Sequence, residues 1–142
     1  MSDSRQILQD VEVEARLRAH GVIPTTQRLA IGKFLFARHQ HVTADQLHEA
    51  LVRNGFKVAK ATVYNTLGLF VKNGLMREIF VDANKTFYDS NTSHHHHYFN
   101  LDSGELSDMS GSPQLDIDEQ DLPLGTAIEN VDIVLRVRNK IV

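Results

Sequence analysis

The sequence predicts an α+β fold in two unequal parts: a basic, helix-rich first part closed by a two-stranded hairpin, and a smaller acidic second part of short strands. Three observations carry this expectation. Apolar residues recur at helical spacing as far as Gly74 and at strand spacing beyond it. Charge divides along nearly the same line, with 12 Lys or Arg against 8 Asp or Glu in residues 1–88, a balance of +4, and 3 against 10 in residues 89–142, a balance of −7. Such a split suggests a basic half that meets a polyanion, uneven surface decoration being the plainer alternative. Four consecutive histidines, His94 to His97, open the second part.

With 142 residues and 42% hydrophobic content, the chain has room for one ordinary domain or two small ones sharing a core. No apolar run approaches the roughly 20 residues of a membrane span, and the N-terminus carries charges where a signal peptide needs an apolar core. A cytoplasmic protein with no membrane partner is expected. Absence of cysteine excludes disulfides, thiolate zinc sites and cysteine nucleophiles, which leaves His, Asp and Glu as the metal-binding vocabulary.

Residues 4–20 read as a helix with Ile7, Leu8, Val11 and Ala15 at helical spacing, ended by Gly21. Pro24 and Thr25-Thr26 start a second helix, in which Leu29, Ile31, Phe34 and Leu35 supply buried positions. Arg28 lies in its first turn, where the helix dipole favours anions; a phosphate contact or a local salt bridge would account for it. The third helix opens with a capping box, Thr43 and Gln46, carries Leu47, Ala50 and Leu51 on one face, and stops at Asn54-Gly55. His41 immediately precedes it, a position where a lone histidine is ordinarily a local hydrogen-bonding residue. The fourth helix, KATVYNTLGLFVKNG, places Val63, Leu67, Phe70 and Val71 on a core stripe.

The opposite side of that helix shows Ala61, Asn65 and Gly68 flanked by Thr62 and Tyr64, with Lys57 and Lys60 at its approach. This is the chemistry of a helix that enters the major groove: small residues allow close approach, Asn reads adenine, and lysines neutralise the backbone. A solvated face without a partner is the alternative. The run LMREIFVDANKTFYD then makes two strands about a DANK turn, with Arg77 and Lys85 available to the flanking backbone. Short helices followed by such a hairpin describe a winged helix-turn-helix DNA-binding domain, residues 1–88 with its N-terminal helix.

Residues 89–93 form a polar hinge, and residues 94–142 a small α/β domain. In a strand His95 and His97 share one face and His94 and His96 the other. If Ser103 and Gly104 are the loop of a two-residue hairpin, Leu101 pairs with Leu106 and Phe99 with Asp108, which sets Asp108 diagonally across from His97. Two imidazoles and a carboxylate suit zinc, iron(II) or manganese, the alternative being a solvent-exposed histidine tract. The stretch SGSPQLDIDEQDLPLG is acidic and interrupted by Pro113, Pro123 and Gly125, so it holds at most a short helix. Val131, Ile133, Leu135 and Val137 then alternate with polar neighbours as a half-buried strand. So few elements cannot close a core alone, which points to dimerisation through this domain.

Together these residues resemble the ferric uptake regulator family of metal-dependent bacterial repressors over nearly the whole chain: PTTQR, HVTADQLHEAL, KATVYNTLGLFVKNGL, and the His-rich strand following FYD. Within the family the chain is most similar to the iron response regulator subgroup, in its extended N-terminal segment and its cysteine-free HHHHYF strand. The resemblance implies a regulatory divalent-metal site (Fe, Mn or Zn) at His41, Asp89, His95, His97 and Asp108. Asn100 and Ser103 stand at the family's CxxC positions, so its cysteine-zinc site is absent, and Val131 stands about where a further site would have a histidine. His94 and His96, left on the other face, are then the candidates for a haem contact.

The expectation is a homodimer or higher oligomer that binds a double-stranded DNA operator. It would be an iron- and haem-responsive regulator, mainly a repressor, of haem biosynthesis and iron homeostasis genes, with Lys57, Lys60, Thr62, Tyr64 and Asn65 in recognition and Arg28, Arg77 and Lys85 on the backbone. A manganese-, iron- or peroxide-sensing repressor without haem is the alternative in the same class. In another class stands a non-haem iron enzyme, which needs an open coordination position that five candidate ligands leave little room for.

Overall fold

The computed structural model describes residues 2–141, with side chains from residue 10 onward. The chain divides into two compact units, Met1–Thr92 and Ser93–Val142.

The first unit begins with helix α1 (Ser2–Ala19), closed at Gly21 with φ 76°. Its buried face differs from the expected one: Val13 and Leu17 are buried, whereas Val11 and Ala15 are exposed. Ile7 and Leu8 lie outside the described side chains. The cause is visible in helix α2 (Thr26–Phe36), where a Cβ added to buried Gly32 would lie 2.9 Å from Val13 Cγ1. α1 therefore approaches α2 through the missing side chain of Gly32, and that approach selects the Val13 face. Thr25 caps α2 by accepting the Arg28 amide, and Ile31 and Leu35 are buried in it while Leu29 and Phe34 pack partly buried at the edge.

Strand β1 (His41–Thr43) leads directly into α3 (Ala44–Arg53). The capping box forms as expected, with the Gln46 amide on Thr43 Oγ1 at 3.1 Å and the Thr43 amide on Gln46 Oε1 at 3.0 Å. In α4 (Lys60–Lys72), Val63, Thr66, Leu67 and Phe70 are buried and Val71 partly so. Strands β2 (Arg77–Asp82) and β3 (Lys85–Asp89) form the expected hairpin. The sheet nevertheless has three strands in the order β1-β3-β2, because β1 pairs antiparallel with β3 and sets His41 opposite Asp89. A three-residue strand next to a capping box carries no alternation long enough to be read in the sequence.

In the second unit β4 (His97–Asn100) lies between β5 (Leu106–Asp108), antiparallel, and β6 (Val134–Val137), parallel. The expected two-residue loop is a four-residue one. The Asn100 amide donates to the Glu105 carbonyl at 3.0 Å, and Gly104, at φ 74°, returns its amide to the Asn100 carbonyl at 2.8 Å. The register shifts accordingly: Phe99 pairs with Leu106, and Asp108 stands directly opposite His97 rather than diagonal to it. Leu101 is left exposed in the loop. The acidic stretch holds only a 3-10 turn, Glu119–Asp121. The last strand is less covered than expected, with Leu135 46% and Val137 37% exposed.

A side-chain clasp closes the β4–β5 loop at the positions where the family's cysteines would stand. Asn100 Oδ1 accepts the amides of Asp102 (2.8 Å) and Ser103 (3.1 Å), while its amide nitrogen donates to Asn139 Oδ1 (2.9 Å). Asp102 in turn accepts from the Asn139 amide at 2.8 Å and the Arg138 guanidinium at 3.1 Å.

Candidate metal centre and nucleic-acid interface

The β1–β3 register gathers a set of candidate metal ligands within the first unit. Asp89 is fully buried, and each of its oxygens meets a histidine: Oδ1 lies 2.9 Å from His39 Nε2 and Oδ2 lies 3.1 Å from His41 Nε2. The Asn91 amide donates to Oδ1 at 2.8 Å. A carboxylate removed from water needs such partners, since an unpaired buried charge is costly. His39 was missed at sequence level. The HQH spacing was the signal available, because residues two apart in an extended segment share a face.

Within the second unit His95, His97 and Asp108 lie together. Asp108 Oδ1 lies 3.1 Å from His95 Nε2 and 3.4 Å from His97 Nε2, and the two rings lie 4.4 Å apart. His97 is buried. His95 Nδ1 sits 2.7 Å from the Ser93 carbonyl, which can only accept, so that nitrogen carries the proton. A neutral His95 then turns the lone pair of Nε2 toward the Asp108 carboxylate. Two lone pairs at that distance need a cation between them, either a second proton on the ring or a metal ion. The donor set therefore fits a divalent first-row metal, and the carbonyl behind His95 fixes its tautomer in the manner of metal-ligating histidines.

His94 and His96 point to the other side, their rings edge-on with centroids 5.1 Å apart. His94 Nε2 donates to the Val131 carbonyl at 2.9 Å, and His96 Nδ1 accepts the Ile133 amide at 3.2 Å. The latter bond leaves the His96 proton on Nε2, so neither ring nitrogen offers a lone pair. The arrangement does not fit the expected haem contact through His96. It fits a structural role in docking the segment that enters β6.

On α4 the exposed side consists of Ala61, Tyr64, Asn65 and Gly68, with Thr62 half-buried and Lys57 exposed in the preceding loop. Lys60 Nζ lies 3.1 Å from Asp45 Oδ1, and the Tyr64 hydroxyl donates to the same oxygen at 3.4 Å. Lys85 lines the cleft between Tyr64 and the hairpin tip. Arg28 forms no salt bridge among the described residues; its guanidinium donates to the Ile23 carbonyl at 2.8 Å. Arg77 pairs in register with Asp89. Directly paired residues share a face, so Arg77 stands on the same face of the sheet as Asp89 rather than beside Tyr88 and Thr86.

A model of the ferric uptake regulator family matches residues 19–136. The chain belongs to that family. It is 38% identical over 104 residues to the peroxide-responsive repressor PerR of Staphylococcus saprophyticus, covering 73% of this chain and 70% of that one. Among solved structures it is similar to the ferric uptake regulator of Vibrio cholerae, with TM-score 0.70 and 26% identity over 89% of this chain and 98% of that one. The ferric uptake regulator from Pseudomonas aeruginosa solved with manganese gives TM-score 0.65 and 26% identity over 89% and 97%. As a ferric uptake regulator family member the chain is a metal-responsive transcriptional regulator and not an enzyme. Among the described residues no helix is long and apolar enough to cross a membrane.

Proposed function

We propose that this ferric uptake regulator family member is a DNA-binding repressor whose operator affinity is set by one divalent cation, iron(II) or manganese(II), held by His41, Asp89, His95, His97 and Asp108, with His39 against Asp89. The observation that carries this reading is the forced tautomer of His95, which faces its lone pair to Asp108. Asp89 and His95 are six residues apart, a span of at most about 20 Å of extended chain, so both ligand groups are within reach of one ion. Such an ion would restrict a hinge at residues 89–93 and set the orientation of α4 on DNA. The bound cation supplies Lewis-acid charge and, as iron(II), a one-electron reductant for peroxide.

Peroxide sensing is favoured over haem sensing by the similarity to PerR and by the tautomer of His96. The chain has no cysteine, so any peroxide response must run through the metal site or the methionines rather than a thiol. The homodimer remains part of the reading, supported by the exposed apolar residues Leu135 and Val137 on β6. The test is DNA binding at fixed salt with manganese(II), iron(II), zinc(II) and haem in turn, followed by peroxide. Peroxide should release DNA from the iron(II) form and leave the manganese(II) form bound. Haem-dependent release without any effect of peroxide would reject this reading in favour of the haem regulator.

A further inference from the structure

Asp45 stands in the first turn of α3, and two residues of α4 converge on it. Lys60 approaches its Oδ1 to 3.1 Å and the Tyr64 hydroxyl to 3.4 Å. Lys60 and Tyr64 are one helical turn apart on the face assigned to DNA. Asp45 and Tyr64 also line a cleft of about 330 Å³ whose far wall is the hairpin tip, with Asn84 and Lys85. The hydrogen bond and charge of Asp45 hold the Lys60 ammonium above its ordinary pKa.

The Lys60–Asp45 pair is 57% and 56% exposed, and exposed pairs contribute little to folding. An acid in the first turn of α3 serves the helix dipole, but the dipole does not require contact with both polar tips of α4. We propose that Asp45 is a specificity-determining residue of DNA binding, which holds Lys60 and Tyr64 together off the phosphate backbone and so penalises sequence-blind association. A sequence-blind complex gains affinity from each lysine that reaches a phosphate. Lys60 gives a phosphate its full charge only by leaving Asp45, and in either case the Asp45 carboxylate is brought up to a polyanion. In a matched complex the carboxylate accepts from the amino group of a cytosine at a base edge, and Tyr64 stays aimed into the groove. The charge that opposes the wrong sequence is thus satisfied by the right one.

This inference rests on the DNA-binding reading, and its test separates the two. Manganese-loaded full-length protein is titrated with a duplex that the wild type enriches from a randomised pool, and with the unselected pool. Asp45→Asn should bind the unselected pool more tightly, steepen its salt dependence by about one phosphate contact, and reduce the preference for the enriched duplex about tenfold. Glu105→Gln makes the same change in net charge on the second unit and should do none of this. The unfolding midpoint of Asp45→Asn should fall only slightly, by the loss of one first-turn charge from α3. Equal changes for both duplexes, or the same effect from Glu105→Gln, would overturn the role of Asp45 and leave DNA binding intact. Failure of the wild type to enrich any sequence would overturn both.

Discussion

Asp89 concentrates the chemistry of the first unit in one side chain, because both of its oxygens and three donors meet where water is excluded. Of the two imidazoles it holds, His41 is mostly covered and His39 is 42% exposed. That difference separates binding from folding. His39→Ala opens a site already near solvent, so the fold should tolerate it, while Asp89 loses the partner that orients its Oδ1. Removing such an orienting partner typically lowers metal affinity about 10- to 100-fold. Calorimetric titration with manganese(II) should show that loss in His39→Ala together with an unchanged urea midpoint. Unaltered affinity would make His39 a bystander.

At the scale of elements, the α1–α2 crossing depends on the absence of a side chain. A Cβ at position 32 would meet Val13 Cγ1 at 2.9 Å, and a β-branched side chain has little rotameric freedom with which to retreat. Gly32→Ala would ordinarily favour a helix by about 1 kcal/mol. Here the overpacking cost, about 1–3 kcal/mol, should exceed that gain and lower the thermal midpoint. The Val13→Ala, Gly32→Ala double variant should recover part of the loss. The same crossing explains why helix boundaries were legible in the sequence while the buried face of α1 was not. Caps and glycines are local signals, read at Thr25, Thr43 and Gly74 without knowledge of the rest. Which face of α1 is buried depends on its neighbour. The histidine strand teaches the same lesson, since alternation assigned His95 and His97 to one side, but the pairing of Asp108 depended on a loop length that Ser103-Gly104 alone did not determine. β1 and His39 escaped notice because three residues and one residue are too few to make a pattern.

Over the whole molecule the second unit has little apolar interior of its own, with Phe99, Leu106 and Met109 buried and Leu135 and Val137 exposed along β6. If a second copy covers that strand, Leu135→Asp should convert the protein to a monomer by light scattering and weaken binding to a two-fold symmetric duplex. A variant that stays dimeric would place the interface elsewhere. The clasp of Asn100, Asp102, Ser103 and Asn139 gives the second unit a different relation to its environment. It is made of amide, carboxylate and guanidinium groups, so neither a chelator nor an oxidant has anything in it to attack. A repressor that keeps its loops closed with zinc and thiolates is exposed to the very stresses it reports. If the metal reading holds, a cell starved of metal would lose the signal while this loop stays closed.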